Sequence, residues 1–77
     1  MNEIDIREGE QYIKLGQALK KCGVVSTGAE AKEIISAGKV TVNGSLENRR
    51  GRKLYPGDVF IFDDIEYKVN GNEDHLA

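Results

Sequence analysis

Arg49, Arg50, Arg52 and Lys53 place four cations within five consecutive residues of a chain whose formal net charge is −2. Planar guanidinium forks take two phosphate oxygens at once and stack on exposed bases, which an ammonium group cannot do. Gly51 lets the backbone turn or approach closely inside the run. The chemistry offered is therefore the gripping of a polyanion. Residues 14–53 carry nine Lys or Arg against three acids, Glu30, Glu33 and Glu47, whereas the rest of the chain sets Arg7 and Lys68 against ten acids. Such a division within 77 residues points to a polyanion-binding face with an acidic back.

Catalytic chemistry finds little support. The one histidine, His75, lies in a polar tail, NGNEDHLA, expected to fray. The one cysteine, Cys22, falls on an apolar helical stripe, where a thiol is an inert core group and no internal disulfide can form. Asp63, Asp64 and Glu66 surround a turn, a setting in which acids are solvated more often than they hold a cation, so no metal or cofactor is expected. Gly38, Gly44, Gly51 and Gly57 are spaced for turns and form no phosphate loop leading into a helix. No run of eighteen apolar residues and no charged-then-apolar leader occurs, so neither a membrane span nor a secretory signal is expected, and a reducing cytoplasm fits a single thiol.

The elements that would position the basic run can be read from periodicity. Ile4 and Ile6 alternate with acids as a short edge strand ended by Gly9. Leu15, Ala18, Leu19 and Cys22 fall at i, i+3, i+4 and i+7, one buried helical stripe with Lys14, Lys20 and Lys21 turned to water. Gly23 stops this helix, and Val24-Val25 buries the turn that follows. Thr27 and Glu30 predict a capping box at the start of a second helix, whose Ala31, Ile34 and Ile35 face inward and whose stop is Gly38. After Gly38 the period becomes two. Val40-Thr41-Val42, a type I′ turn at Asn43-Gly44 and a return at Leu46 opposite the first valine pair make a small hairpin. Asn48 to Lys53 is expected to cross the surface without a core strand. Leu54 and Tyr55 are expected to restore burial before a type II turn at Pro56-Gly57. Two antiparallel strands around Asp63-Asp64 then complete the core. The expected architecture is α+β, two short helices packed on one side of a small, bent, mainly antiparallel sheet. It is read as one domain over residues 1–77, with the core motif at about 14–61 and a frayed tail at 70–77. Tyr12, Tyr55, Phe60, Phe62 and Tyr67 sit in apolar patterns, which favours reading folded RNA by shape and phosphate position over stacking single-stranded bases.

The order of features also resembles a known family. Lys14 to Leu19, Gly23 to Thr27, Ala31 to Ile35, the string Ala37 to Gly44 and the later Pro56-Gly57-Asp58-Val59 are similar to the S-four RNA-binding domain, named after the fourth protein of the small ribosomal subunit. Glu47 to Leu54 resembles its short stand-alone YaaA-like or YbcJ-like bacterial members. The resemblance implies the αL motif, a helix pair with a β-hairpin, and binding of structured RNA, ribosomal or transfer. Carried over by position, it implies RNA-facing roles for Lys14, Ser26, Thr27, Lys32, Lys39, Arg49, Arg50, Arg52 and Lys53. Many members carry an arginine straight after the serine that opens the second helix. This chain has Thr27-Gly28, so the basic loop is expected to carry more of the grip. The expected function is that of a non-enzymatic, monomeric RNA-binding protein acting on ribosomal RNA or an assembling ribosomal particle. The rival reading is a protein-interaction adaptor whose basic loop meets an acidic partner.

Overall fold

A computed structural model describes residues 2–71; His75 and most of the expected tail lie outside them. The elements run β1 (Asn2–Asp5), β2 (Ile13–Lys14), α1 (Leu15–Lys21), α2 (Gly28–Ser36), β3 (Val40–Val42), β4 (Ser45–Leu46), β5 (Lys53–Leu54), β6 (Val59–Phe62) and β7 (Ile65–Asn70). Two helices lie on a five-stranded sheet of order β1-β7-β6-β3-β4, accompanied by a two-stranded ribbon of β2 and β5. The β1–β7 pairing is parallel and the other pairings are antiparallel. The fold is the expected small α+β domain.

Both helices stop for the reason their sequences suggest. Gly23 and Gly38 take φ of +83° and +77°, a region open to glycine at no steric cost. At the end of α1, Gly23 N–H donates to Lys20 O and Val24 N–H to Leu19 O; at the end of α2, Gly38 and Lys39 repeat this toward Ile35 O and Ile34 O. Each end is a Schellman motif, which satisfies carbonyls that the helix leaves open. At the start of α2, Thr27 Oγ1 accepts from Glu30 N–H at 3.1 Å. The other half of the box differs from expectation. The Glu30 carboxylate accepts from Ser26 N–H at 2.7 Å, one residue before the cap.

Leu15, Ala18, Leu19, Ala31 and Ile35 meet Val40, Val42, Leu54, Phe60, Tyr67 and Val69 in one buried cluster. Phe60 and Tyr67 are cross-strand partners and stack with centroids 5.0 Å apart. Cys22 packs at the margin of this cluster, where burial pushes its thiol above the ordinary value. Among the described residues no cluster of three acidic, histidine or cysteine side chains is placed to hold a metal, and no helix is long and apolar enough to cross a membrane.

Four local expectations need correction. Leu46 pairs with Thr41, not with a valine, and is 66% exposed. Alternation puts it on the face opposite Val40 and Val42, on an edge strand. Tyr55 is also exposed, because it opens the Pro56-Gly57 turn, in which Asp58 N–H donates to Tyr55 O at 2.9 Å. Residues 53 and 54 do form a strand, pairing Lys53 with Lys14 and Leu54 with Ile13. The sequence carries no signal for that ribbon, because two residues cannot show a period. The strand β7 also extends through Asn70, whose amide donates to Glu3 and Asp5, so the expected fraying does not begin there.

Candidate nucleic-acid interface

The basic run is folded around a carboxylate. Glu47 is buried, 5% exposed, and accepts from Arg49 N–H at 3.0 Å, Arg49 Nε at 2.9 Å and Arg52 Nη1 at 2.7 Å. The Arg49 hydrogen bond above all, with Arg52 adding to it, holds this carboxyl down at about 2 against the opposing effect of burial. The loop is thus an arginine turn tied from within. Arg52 N–H closes it on Arg49 O at 3.2 Å. The Arg49 side chain is still 70% exposed and that of Arg52 32%; Arg49 Nη2 also donates to Glu47, at 3.4 Å, so Arg49 can meet a ligand through Nη1 while Arg52 serves mainly as a strut.

The tied loop is seated on the start of α1. Leu15 N–H donates to Arg52 O at 2.8 Å and Gly16 N–H to Arg50 O at 3.0 Å, which occupies two of the N–H groups that a helix start leaves open. Arg50 is then laid across two glycines. A Cβ on Gly16 would stand 2.6 Å from Arg50 Cγ, and one on Gly28 would stand 3.8 Å from Arg50 Nη1. Only a residue without a side chain at position 16 leaves room for the Arg50 stem. Its guanidinium therefore reaches Gly28, the first residue of α2. A cation at the positive end of a helix is unfavourable by a few tenths to about 1 kcal/mol, and an anion bound there reverses the sign.

Lys32 and Ser36 on α2 face Asn48, Arg49, Arg50 and Gly51 across a shallow cavity of about 340 Å³. The structure thus brings Lys32, Arg49 and Arg50 together. Lys14, Lys39 and Lys53 are exposed but lie outside this cavity. Lys14 and Lys53 oppose one another on the β2–β5 ribbon, and Lys53 Nζ stands 5.1 Å from the Tyr12 ring centroid. Ser26 and Thr27 flank the cavity's helix, but the Ser26 N–H and the Thr27 hydroxyl are engaged with Glu30. Asn43 is engaged as well. Its amide donates to Asp58 at 3.1 Å and accepts from Val59 N–H at 3.0 Å, which ties the V-N-G turn to the P-G-D turn as one unit.

A family model for the S4 domain matches residues 4–70. The chain belongs to the S4 domain family. It is 51% identical over 49 residues to the probable ribosome maturation protein RlbA of Bacillus subtilis (strain 168), a match covering 64% of this chain and 69% of that one. It is also similar to YbcJ from E. coli, whose solution structure reveals an αL motif involved in RNA binding, with a TM-score of 0.66 and 28% identity over 91% of this chain and 87% of that one. The αL motif of this S4 domain is the α1–α2 corner with the β3–β4 hairpin. Two features of its basic loop were not foreseen in the sequence, the Glu47 anchor and the Gly16 notch. The available signal for the first was a lone acid two residues before Arg49 and five before Arg52. For the second there was none, since a glycine in a helix pattern does not say what crosses it.

Proposed function

We propose that this chain binds structured RNA, ribosomal RNA or an assembling ribosomal particle, as a non-catalytic cytoplasmic protein working as a monomer in a single S4 domain. The observation that carries the reading is the placement of Arg49, Arg50 and Lys32 around one cavity beside the middle and end of α2, by a loop whose shape is fixed by buried Glu47. A preformed set of cations binds phosphate without first having to be ordered. Membership of the S4 family and the likeness to a ribosome maturation protein support RNA as the polyanion. Ser26, Thr27, Lys14, Lys39, Arg52 and Lys53 frame the contact, with Arg52 acting through the loop.

The test is filter binding of ribosomal RNA, transfer RNA and duplex DNA to the protein and to a Lys32→Ala/Arg50→Ala variant. Those two side chains make no hydrogen bond or ion pair to the described residues, so their loss leaves the loop anchor intact. A preference for ribosomal RNA and a loss of at least about tenfold in the variant are expected from two charge-assisted contacts. Equal binding of all three nucleic acids, or an unchanged variant, would sink the reading. An adaptor for acidic proteins would show that indifference to folded RNA.

A further inference from the structure

A second cationic site lies where the segment before β2 meets α1. The loop from Arg7 to Tyr12 and the outer face of α1 enclose an open groove of about 730 Å³. Its walls carry Arg7, Lys14, Lys20 and Lys21 against one carboxylate, Glu10. Among the described residues the ion pairs of Arg49 and Arg52 end on Glu47, and none joins a described carboxylate to Arg7, Lys14, Lys20 or Lys21. Lys21 Nζ donates to the Asp5 carbonyl, which pins one cation at the groove's edge. The Gln17 side-chain oxygen accepts from Lys14 N–H at 3.3 Å, leaving its NH₂ as a donor on the wall.

The end of the groove is aromatic. Tyr12 forms part of the wall and packs on exposed Tyr55 with centroids 5.7 Å apart and planes at 52°. Lys53 Nζ stands 5.1 Å from the Tyr12 ring centroid. On the adjoining ribbon Lys14 and Lys53 are direct partners, an arrangement of like charges that weakens a strand pair. An anion lying between them removes the repulsion. A row of cations beside an exposed ring supplies the elements of a single-strand site, where phosphates track the charges and a base stacks on the aromatic. A groove of this volume lies within the range of small-ligand sites, about 300–1,000 Å³, which suits a nucleotide or two.

We propose that this groove holds a single-stranded RNA segment, with its phosphates on Arg7, Lys14, Lys20 and Lys21 and a base against Tyr55. The identity of the ligand as RNA rests on the function proposed above. The site adds base stacking to a domain whose sequence suggests recognition by shape alone, and the Lys14–Lys53 rung joins it to the loop face. A flanking strand would then leave the folded element held at α2 and run along α1.

The test is a titration of the ¹⁵N-labelled protein with oligouridylate and, separately, with a blunt RNA hairpin, followed by amide chemical shifts. Oligouridylate is expected to shift Tyr12, Gln17 and Lys20. An Arg7→Ser/Lys20→Ser variant should bind it at least about tenfold more weakly, and Tyr55→Ser about fivefold or more, both keeping the hairpin within about twofold of the parent protein. Shifts confined to Lys32 and Arg50, an absence of shifts, or variants that weaken both probes equally would overturn the groove site. Groove shifts with oligouridylate but no binding of the hairpin or of ribosomal RNA would support the groove and contradict the function proposed for the α2 face.

Discussion

Glu47 decides what the basic residues can do. Four cations in five residues repel one another, and an unanchored run would sample many shapes. The buried carboxylate converts two of them, Arg49 and Arg52, into a frame and leaves Arg50 outside it, its stem laid across Gly16. Its carboxyl is held at about 2 against an ordinary value of 4.5. A group with a lowered folded-state pKa contributes stability that is complete above the unfolded value and is lost as pH falls through the folded one. Thermal unfolding of the protein should therefore show stability declining from about pH 4.5 toward pH 2, with a Glu47→Gln variant less stable at neutral pH and lacking that part of the decline. A variant that declines like the parent would show that the carboxylate is not the titrating anchor. Gly16 makes a second, independent check. The Cβ of Gly16→Ala would stand 2.6 Å from Arg50 Cγ, partway along the stem, so the arginine must move. Overpacking of this kind costs about 1–3 kcal/mol, partly offset by up to about 1 kcal/mol of helix propensity gained. RNA affinity should fall about as far as in Arg50→Ala, although no charge has been removed; affinity equal to the parent would mean that Arg50 does not need its slot.

At the scale of elements, the sequence was legible wherever a pattern ran long enough to have a period or a stop. The stripe Leu15, Ala18, Leu19 and the pair Ala31, Ile35 are buried as spaced, both glycine stops are left-handed, and Asn43-Gly44 takes φ of +51° and +85° as a type I′ turn requires. What was not legible lies in contacts between elements. The β2–β5 ribbon, the seating of the loop on α1 and the Asn43–Asp58 link each join residues far apart in sequence, through backbone groups or a single side chain that carries no pattern. The start of α2 shows how the two levels combine. Thr27 caps the helix as its type suggests, but the Glu30 carboxylate bends back to Ser26 N–H and sets a negative charge at the start of α2, the end that the Arg50 guanidinium approaches at Gly28. Glu30→Gln preserves an acceptor and removes that charge. It is expected to strengthen RNA binding about twofold to fivefold while costing a few tenths to about 1 kcal/mol of helix stabilisation, both measurable by filter binding and thermal unfolding. Weaker RNA binding would show that Glu30 orders the site more than it repels the ligand. Thr27→Ala, in comparison, should cost about 1 kcal/mol as the loss of a cap.

For the whole molecule, the sequence located the charge asymmetry but not its geometry. Cations from residues 14–53 divide into two surfaces, one where Arg49 and Arg50 face Lys32 and one along α1 where Lys14, Lys20 and Lys21 meet Arg7, a residue counted with the acidic remainder of the chain. The candidate site residues rest on type and resemblance, while the distinction between arginines tied to Glu47 and the arginine outside that tie needed the position of one carboxylate. A surface that neutralises four to six phosphates should show log affinity falling with log salt at a slope of about −3 to −5; a slope near zero would indicate that phosphate contacts do not drive binding. The most direct measurement for the loop-and-helix interface is the affinity of ribosomal RNA for the parent protein and for Lys32→Ala/Arg50→Ala at one fixed salt concentration. A loss of at least about tenfold with unchanged thermal stability is the expected result, and parent-like affinity in a folded variant would contradict it.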